Sequence, residues 1–122
     1  CVGLTEITLP ESTATIADYA FNSCTGLTAF IIPKAVTAIG AFAFAACNTL
    51  KEVTIGENVA TIGSETFRDC KNLTTVKVLG KGIPEATDVF NNSPVTVYFL
   101  PGAQGWGTFW NGKVLRPIAE LP

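Results

Sequence analysis

The chain has 122 residues, of which 48% are hydrophobic and 15% are charged, so it is long enough for one domain and too apolar to be intrinsically disordered. Its net charge is −2 and its eight basic residues are scattered singly, which gives no electrostatic footprint for nucleic acid. Apolar runs all fall short of the roughly 18 residues of a membrane-spanning helix, so we expect no membrane insertion.

An internal repeat of 23 residues organises most of the chain. A unit of this length cannot bury its own apolar face, so successive units must stack and share one continuous core. The repeat therefore predicts a solenoid. Several columns of similar residues follow the 23-residue step, among them Leu4, Leu27, Leu50 and Leu73; Phe21, Phe44, Phe67 and Phe90; and Cys1, Cys24, Cys47 and Cys70.

Each unit opens with a segment such as LTEITLP, in which apolar and polar residues alternate as in a half-buried strand. A single isoleucine then returns to the core, and an Ala-rich segment such as GAFAFAAC predicts one short helical turn. Stacking places equivalent strands about 4.8 Å apart in one parallel sheet. The predicted strands lie near 5–9, 28–32, 51–55, 74–78 and 95–100.

The string CVGL at the start of the chain parallels CTGL, CNTL and CKNL in later units. We therefore expect the sequence to begin inside a repeat, although a mature lipoprotein would also begin with a cysteine such as Cys1. An open first unit should expose the apolar residues Leu4, Ile7, Leu9 and Ile16. Such an edge favours self-association, most simply as a two-fold dimer.

The repeat pattern weakens toward the C-terminus, and we divide the chain into repeats at 1–94 and a final strand with a cap at 95–122. In that final strand we expect Val95, Tyr98 and Leu100 to point inward. The Gly- and Trp-rich segment that follows fits no repeat.

A solenoid needs an end-piece over its open core, and terminal units are atypical for this reason. Trp106, Phe109 and Trp110 are therefore predicted to form an aromatic cap over the last coil. An exposed platform on which a sugar stacks is the alternative interpretation of the same three residues.

The four cysteines allow three interpretations. A 23-residue spacing without any histidine is unlike the close cysteine pairs of metal sites, so we predict no metal. A disulfide framework remains open for a secreted protein. Stacked cysteines would hold their Cβ atoms about 4.8 Å apart, beyond the roughly 3.5–4.5 Å of a disulfide, so we predict a column of buried free thiols that includes Cys24 and Cys47.

Catalysis has little support in this sequence. Histidine, the commonest general base, is absent. Glu6 and Glu52 fall in one strand column two units apart, about 9–10 Å, which is within the range of inverting glycosidases. An open sheet would leave both carboxylates solvated, so we predict neither an enzyme nor a cofactor.

Residues 1–79 resemble the BspA-type leucine-rich repeats, a family of bacterial surface proteins. Units such as LTEITLPESTATIADYAFNSC, LTAFIIPKAVTAIGAFAFAAC and LKEVTIGENVATIGSETFRDC match the family pattern nearly position for position. The resemblance implies a right-handed β-α superhelix with one parallel β-sheet, short helical turns and an aromatic C-terminal cap. It also implies an extracellular or cell-surface protein.

The family pattern implies that the exposed strand face binds a protein or a glycan in recognition or adhesion. The alternative function is a structural spacer that holds another domain of a longer surface protein. Outward strand positions are Thr-rich and nearly uncharged, a composition that β-propensity explains equally well. The candidate ligand-binding residues are Thr5, Glu6, Thr8, Thr28, Ile31, Lys51, Glu52, Thr54, Thr75 and Lys77.

Overall fold

The structure is a computed structural model that describes residues 7, 9–83, 86–100, 109–110 and 113–118. Within these ranges the chain is a β-solenoid whose coils repeat every 23 residues, which confirms the predicted solenoid class. The described strands are β1 (Thr15–Ile16), β2 (Ala29–Ile31), β3 (Ala38–Ile39), β4 (Glu52–Ile55), β5 (Thr61–Ile62), β6 (Thr75–Val78), β7 (Thr96–Phe99), β8 (Phe109–Trp110) and β9 (Lys113–Pro117).

The main sheet contains β2, β4, β6 and β7, paired in parallel and in that order. Parallel strands at four of the five predicted positions confirm that part of the prediction. The fifth predicted strand, near 5–9, lies largely outside the described residues. Phe30, Val53, Val76 and Val97 share one inward column of the register and are buried.

A second sheet contains β1, β3 and β5, also paired in parallel. The prediction of a single sheet was therefore wrong. Ile16, Ile39 and Ile62 stack in register and are buried, as expected for the lone isoleucine of each unit. Two-residue strands carry one inward and one outward side chain, so no alternation marks them in the sequence.

Turns, and no α-helix within the described ranges, occupy the Ala-rich segments, so the predicted short helical turns were wrong. The N–H groups of Tyr19, Phe21 and Ser23 donate hydrogen bonds to carbonyls of the next coil, at 2.7–3.0 Å. These donors are consequently unavailable for bonds within a helix. Left-handed backbone conformations recur twice per turn at 23-residue steps: at Tyr19, Phe42, Glu65 and Asp88, and at Ser23, Ala46, Asp69 and Asn92.

The phenylalanine column runs along the core, as predicted. Neighbouring rings stack with centroids 5.3–5.7 Å apart and planes within 18° of parallel. Phe44, Phe67 and Phe90 are buried, and Phe21 is half-buried. Each buried ring contributes roughly 1.5–3 kcal/mol by the transfer of its apolar surface out of water.

The predicted exposure of the N-terminal apolar residues was wrong at Ile16, which is only 4% exposed because it pairs with Ile39 in the second sheet. Ile7 and Leu9 are partly buried against the core. Leu4 lies outside the described residues, and self-association through this end stays a prediction.

The C-terminal end of the main sheet is extended by β9, which pairs in parallel with β7 and in antiparallel with β8. This places Trp110 against the last coil, with its ring 5.6 Å from that of Phe90 in an edge-to-face arrangement. Trp110 is 2% exposed and its Nε1–H donates a hydrogen bond to the carbonyl of Ile83 at 2.7 Å. Trp110 is therefore a plug and not an exposed platform; Trp106 and the Phe109 side chain lie outside what the structure describes.

Candidate functional site

Outward side chains of the main sheet form two columns that the parallel register defines. Side chains that share a column lie one strand spacing apart, about 4.8 Å, so the columns build a continuous surface along the solenoid. We call these columns, together with the flanking residues Thr28 and Lys51, the strand face. The first column is Ala29, Glu52, Thr75 and Thr96, and the second is Ile31, Thr54, Lys77, Tyr98 and Arg116.

Seven of the ten predicted ligand-binding residues lie within the described ranges, and all seven are on the strand face. Thr5, Glu6 and Thr8 lie outside those ranges. The seven thus form one accessible surface, although their contact with a ligand stays a prediction. Ile31 is 73% exposed, Thr28 and Lys51 are exposed, and Glu52, Thr54, Thr75 and Lys77 are half-buried.

One ion pair crosses the strand face diagonally. Lys77 Nζ lies 3.1 Å from Glu52 Oε1, and the side chains of the two residues are 28% and 44% exposed. A solvent-accessible pair of this kind contributes about 0–1 kcal/mol to stability. Glu52 is thus a salt-bridged carboxylate on an open sheet, as the solvated-face interpretation requires.

The sequence prediction missed the residues that lie at the C-terminal end of the strand face. Val76 pairs with Val97, a step of 21 residues, so two residues are deleted before β7 where one was expected. Our assignment of Tyr98 and Leu100 to inward positions was therefore wrong. Val97 takes the inward position, whereas Tyr98 shares the outward column of Lys77.

Two further residue pairs follow from this corrected register. Arg116 is exposed and pairs with Tyr98 in the ladder, which places a second cation on the strand face. Leu79 and Leu100 follow directly after the paired Val78 and Phe99, and each is 38% exposed. The only signal for these positions was the 21-residue step itself, which the degenerate last unit obscures.

The cysteine column has a hydrogen-bonding role within the core. Cys47 Sγ donates to the carbonyl of Phe21 at 3.2 Å, and Cys70 Sγ donates to that of Phe44 at 3.1 Å. Ser93, at the next position of the column, donates to the carbonyl of Phe67 at 2.6 Å. The column therefore satisfies one buried carbonyl in each coil.

Cys47 and Cys70 are free and buried, as predicted, but Cys24 is disulfide-bonded, so the prediction of a free thiol there was wrong. Our argument assumed the full strand spacing between stacked cysteines. A local shift of about 1 Å from that spacing is enough to bring two Cβ atoms within bridging distance. Among the described residues, no cluster of three or more His, Cys, Asp or Glu side chains has the arrangement of a metal site.

The Cys70 thiol stays protonated in the folded protein. A hydrogen bond with the Cys47 side chain and burial both raise the pKa of Cys70 above its ordinary value. A protonated, buried thiol is a poor nucleophile, because the thiolate is the reactive form. Cys70 is therefore a structural residue in this fold.

These features define a repeat solenoid with a buried core and one accessible face of parallel strands. Sequence comparison matches residues 1–102 to the BspA type leucine-rich repeat region, in six copies, and the chain belongs to this family. The comparison thus confirms the resemblance stated above. The curated proteins and the solved structures that were compared give no match. No helix in the described ranges has the length and apolar character needed to cross a membrane.

Proposed function

We propose that this protein is a non-catalytic recognition or adhesion module, at the cell surface or secreted, that binds a partner through the strand face. The observation that carries the proposal is Ile31. This residue is 73% exposed and stands in a column with Thr54 and Lys77, two half-buried polar neighbours. An apolar side chain on an otherwise polar sheet gains free energy only when another surface covers it.

The arrangement of the strand face supports binding in a second way. Its side chains are held on paired strands whose inward neighbours Val53 and Val76 are fully buried, so the surface is rigid before a partner arrives. Such preorganisation lowers the entropy cost of association. Membership of a leucine-rich-repeat family is consistent with this role, because solenoids of this kind present extended binding surfaces.

The experiment compares two threonines in the same coil. Thr54→Arg places a long cation in the centre of the strand face, whereas Thr61→Arg makes the same change on β5 of the second sheet, where Thr61 is exposed. The unmodified chain is first screened by biolayer interferometry against immobilised proteins and glycans, and each hit is then measured with both variants.

We expect Thr54→Arg to weaken binding at least tenfold and Thr61→Arg to leave the dissociation constant unchanged, with the thermal midpoints of both variants close to that of the parent chain. Equal binding by the two variants would refute the strand face as the binding site. The complete absence of hits would favour the structural spacer instead.

A further inference from the structure

We propose that the C-terminal end of the strand face binds an acidic polypeptide segment that also carries apolar side chains. This inference rests on the proposed function, since it names the partner of the same surface. Lys77, Arg116, Leu79 and Leu100 carry it, and none of the last three was a candidate in the sequence analysis.

Charge complementarity is the first argument. Among the described residues the strand face carries three cations, Lys51, Lys77 and Arg116, and one anion, Glu52, so its net charge is 3 − 1 = +2. The whole chain carries −2, so this surface has the opposite sign from the protein as a whole. A positive surface on an acidic protein steers anionic partners toward itself.

The distribution of cations gives the second argument. Arg116 lies two steps along the column from Lys77, with Tyr98 between them, so their backbones are about 9–10 Å apart. An extended peptide advances about 3.3 Å per residue, so acidic side chains three positions apart match this spacing. Tyr98 is only 7% exposed and serves as the floor between the two cations.

The apolar residues distinguish a polypeptide from an anionic glycan. Leu79 and Leu100 are each 38% exposed and lie beside each other, one residue beyond the paired Val78 and Phe99. They lie two positions along their strands from Lys77 and Tyr98, and therefore on the same side of the sheet. A peptide that combines acidic and aliphatic side chains pairs with both the cations and the leucines, whereas a sulfated sugar leaves the leucines uncovered.

The test uses a defined probe, a fluorescein-labelled twelve-residue peptide of the repeating sequence Glu-Thr-Leu. Matched peptides replace every Glu with Gln or with Lys, or every Leu with Ser, and a sulfated oligosaccharide represents anionic glycans. Fluorescence anisotropy with the full chain gives each dissociation constant at low salt and at about 0.5 M NaCl, where exposed charges are screened.

Two substitutions on the strand face have opposite expected signs. Glu52→Gln removes the only described anion of the face and should tighten binding of the Glu-Thr-Leu peptide about threefold, whereas Lys77→Gln and Arg116→Gln should each weaken it about threefold. Glu65→Gln is the matched control. It changes the net charge by the same amount, but Glu65 pairs with Arg68 in a turn, away from the strand face.

The inference is supported if the Glu-Thr-Leu peptide binds more tightly than its Gln, Lys and Ser relatives, with these signs and no effect of Glu65→Gln. Tighter binding of the Lys peptide, or tighter binding of the sulfated oligosaccharide than of the peptide, overturns it. If Thr54→Arg abolishes binding of another partner while the Glu-Thr-Leu peptide does not bind, the partner class is wrong and the proposed function stands. If neither Thr54→Arg nor Lys77→Gln changes any interaction, the proposed function fails as well.

Discussion

Replacement of Ser93 by alanine tests the role of the cysteine column most directly. Ser93 is 3% exposed, and its Oγ accepts a hydrogen bond from the N–H of Cys70 at 2.9 Å while it donates one to the carbonyl of Phe67 at 2.6 Å. Alanine makes neither bond and adds no atom that could replace them. Two buried backbone groups, one donor and one acceptor, therefore lose these partners.

The size of the effect follows from these two groups. A buried polar group without a partner costs about 1–3 kcal/mol, so Ser93→Ala should lower the free energy of unfolding by about 3 kcal/mol and the thermal midpoint by about 10 °C. Ser93→Cys should cost less than about 1 kcal/mol, because Cys47 and Cys70 make the same bond to a carbonyl from equivalent positions.

Urea denaturation, followed by tryptophan fluorescence and by circular dichroism under reducing conditions, measures both variants. Ser64→Ala is the control, because this serine is half-buried and belongs to a turn of the same type. The interpretation would be refuted if Ser93→Ala and Ser93→Cys shifted the urea midpoint equally, since volume and not hydrogen bonding would then decide stability.

Three further changes test other parts of the fold, each by its effect on the urea midpoint. Trp110→Phe should cost about 1–3 kcal/mol, because the carbonyl of Ile83 loses its indole partner, and Trp110→Ala about 3–5 kcal/mol; no loss in either variant would contradict the plug. Gly63→Ala should cost at least about 1–3 kcal/mol, because a Cβ there would lie 2.3 Å from the backbone nitrogen of Ala41; a neutral effect would show that the coils separate easily. The raised pKa of Cys70 means that the folded state holds a proton that the unfolded chain releases above about pH 8.5, so stability should be constant below that pH and fall by up to about 1.4 kcal/mol per pH unit above it. Cys70→Ser should flatten this dependence, and an unchanged slope would contradict the assignment.

The main sheet and the core could be predicted from the sequence because both follow the 23-residue step. Residues such as Phe44 and Phe67 recur in register, and stacking of identical side chains leaves one arrangement that buries them all. The second sheet could not be predicted in the same way. Its strands, such as Thr15–Ile16, have two residues each, and one buried isoleucine does not establish a period of two.

The turns were mistaken for helices because their composition is misleading. Alanine favours helices, and the GAFAFAAC segment contains no glycine between its first residue and its end. Left-handed conformations usually indicate glycine or asparagine, yet here Tyr19, Phe42 and Ala46 adopt them. Hydrogen bonds to the neighbouring coil override the local preference, and a single unit of sequence carries no trace of those bonds.

Part of the candidate site followed from alternation along the strands, which placed Glu52, Thr54 and Lys77 on the outward side. Its C-terminal end did not, because the position of Tyr98 depends on how many residues are deleted before β7. Arg116 joins the strand face only through the pairing of β9 with β7, a contact that no repeat predicts.

The hydrogen bonds between coils also bear on chain entropy. Those of the turns and of the cysteine column join residues 22 to 26 positions apart in every coil described. Closing each coil therefore costs the same loop entropy, however many coils precede it. In a longer array of such units the sequence separation of contacts would stay fixed while the length grew, so the relative contact order would fall. Addition of a coil then contributes its own interface without slowing the closure of the others.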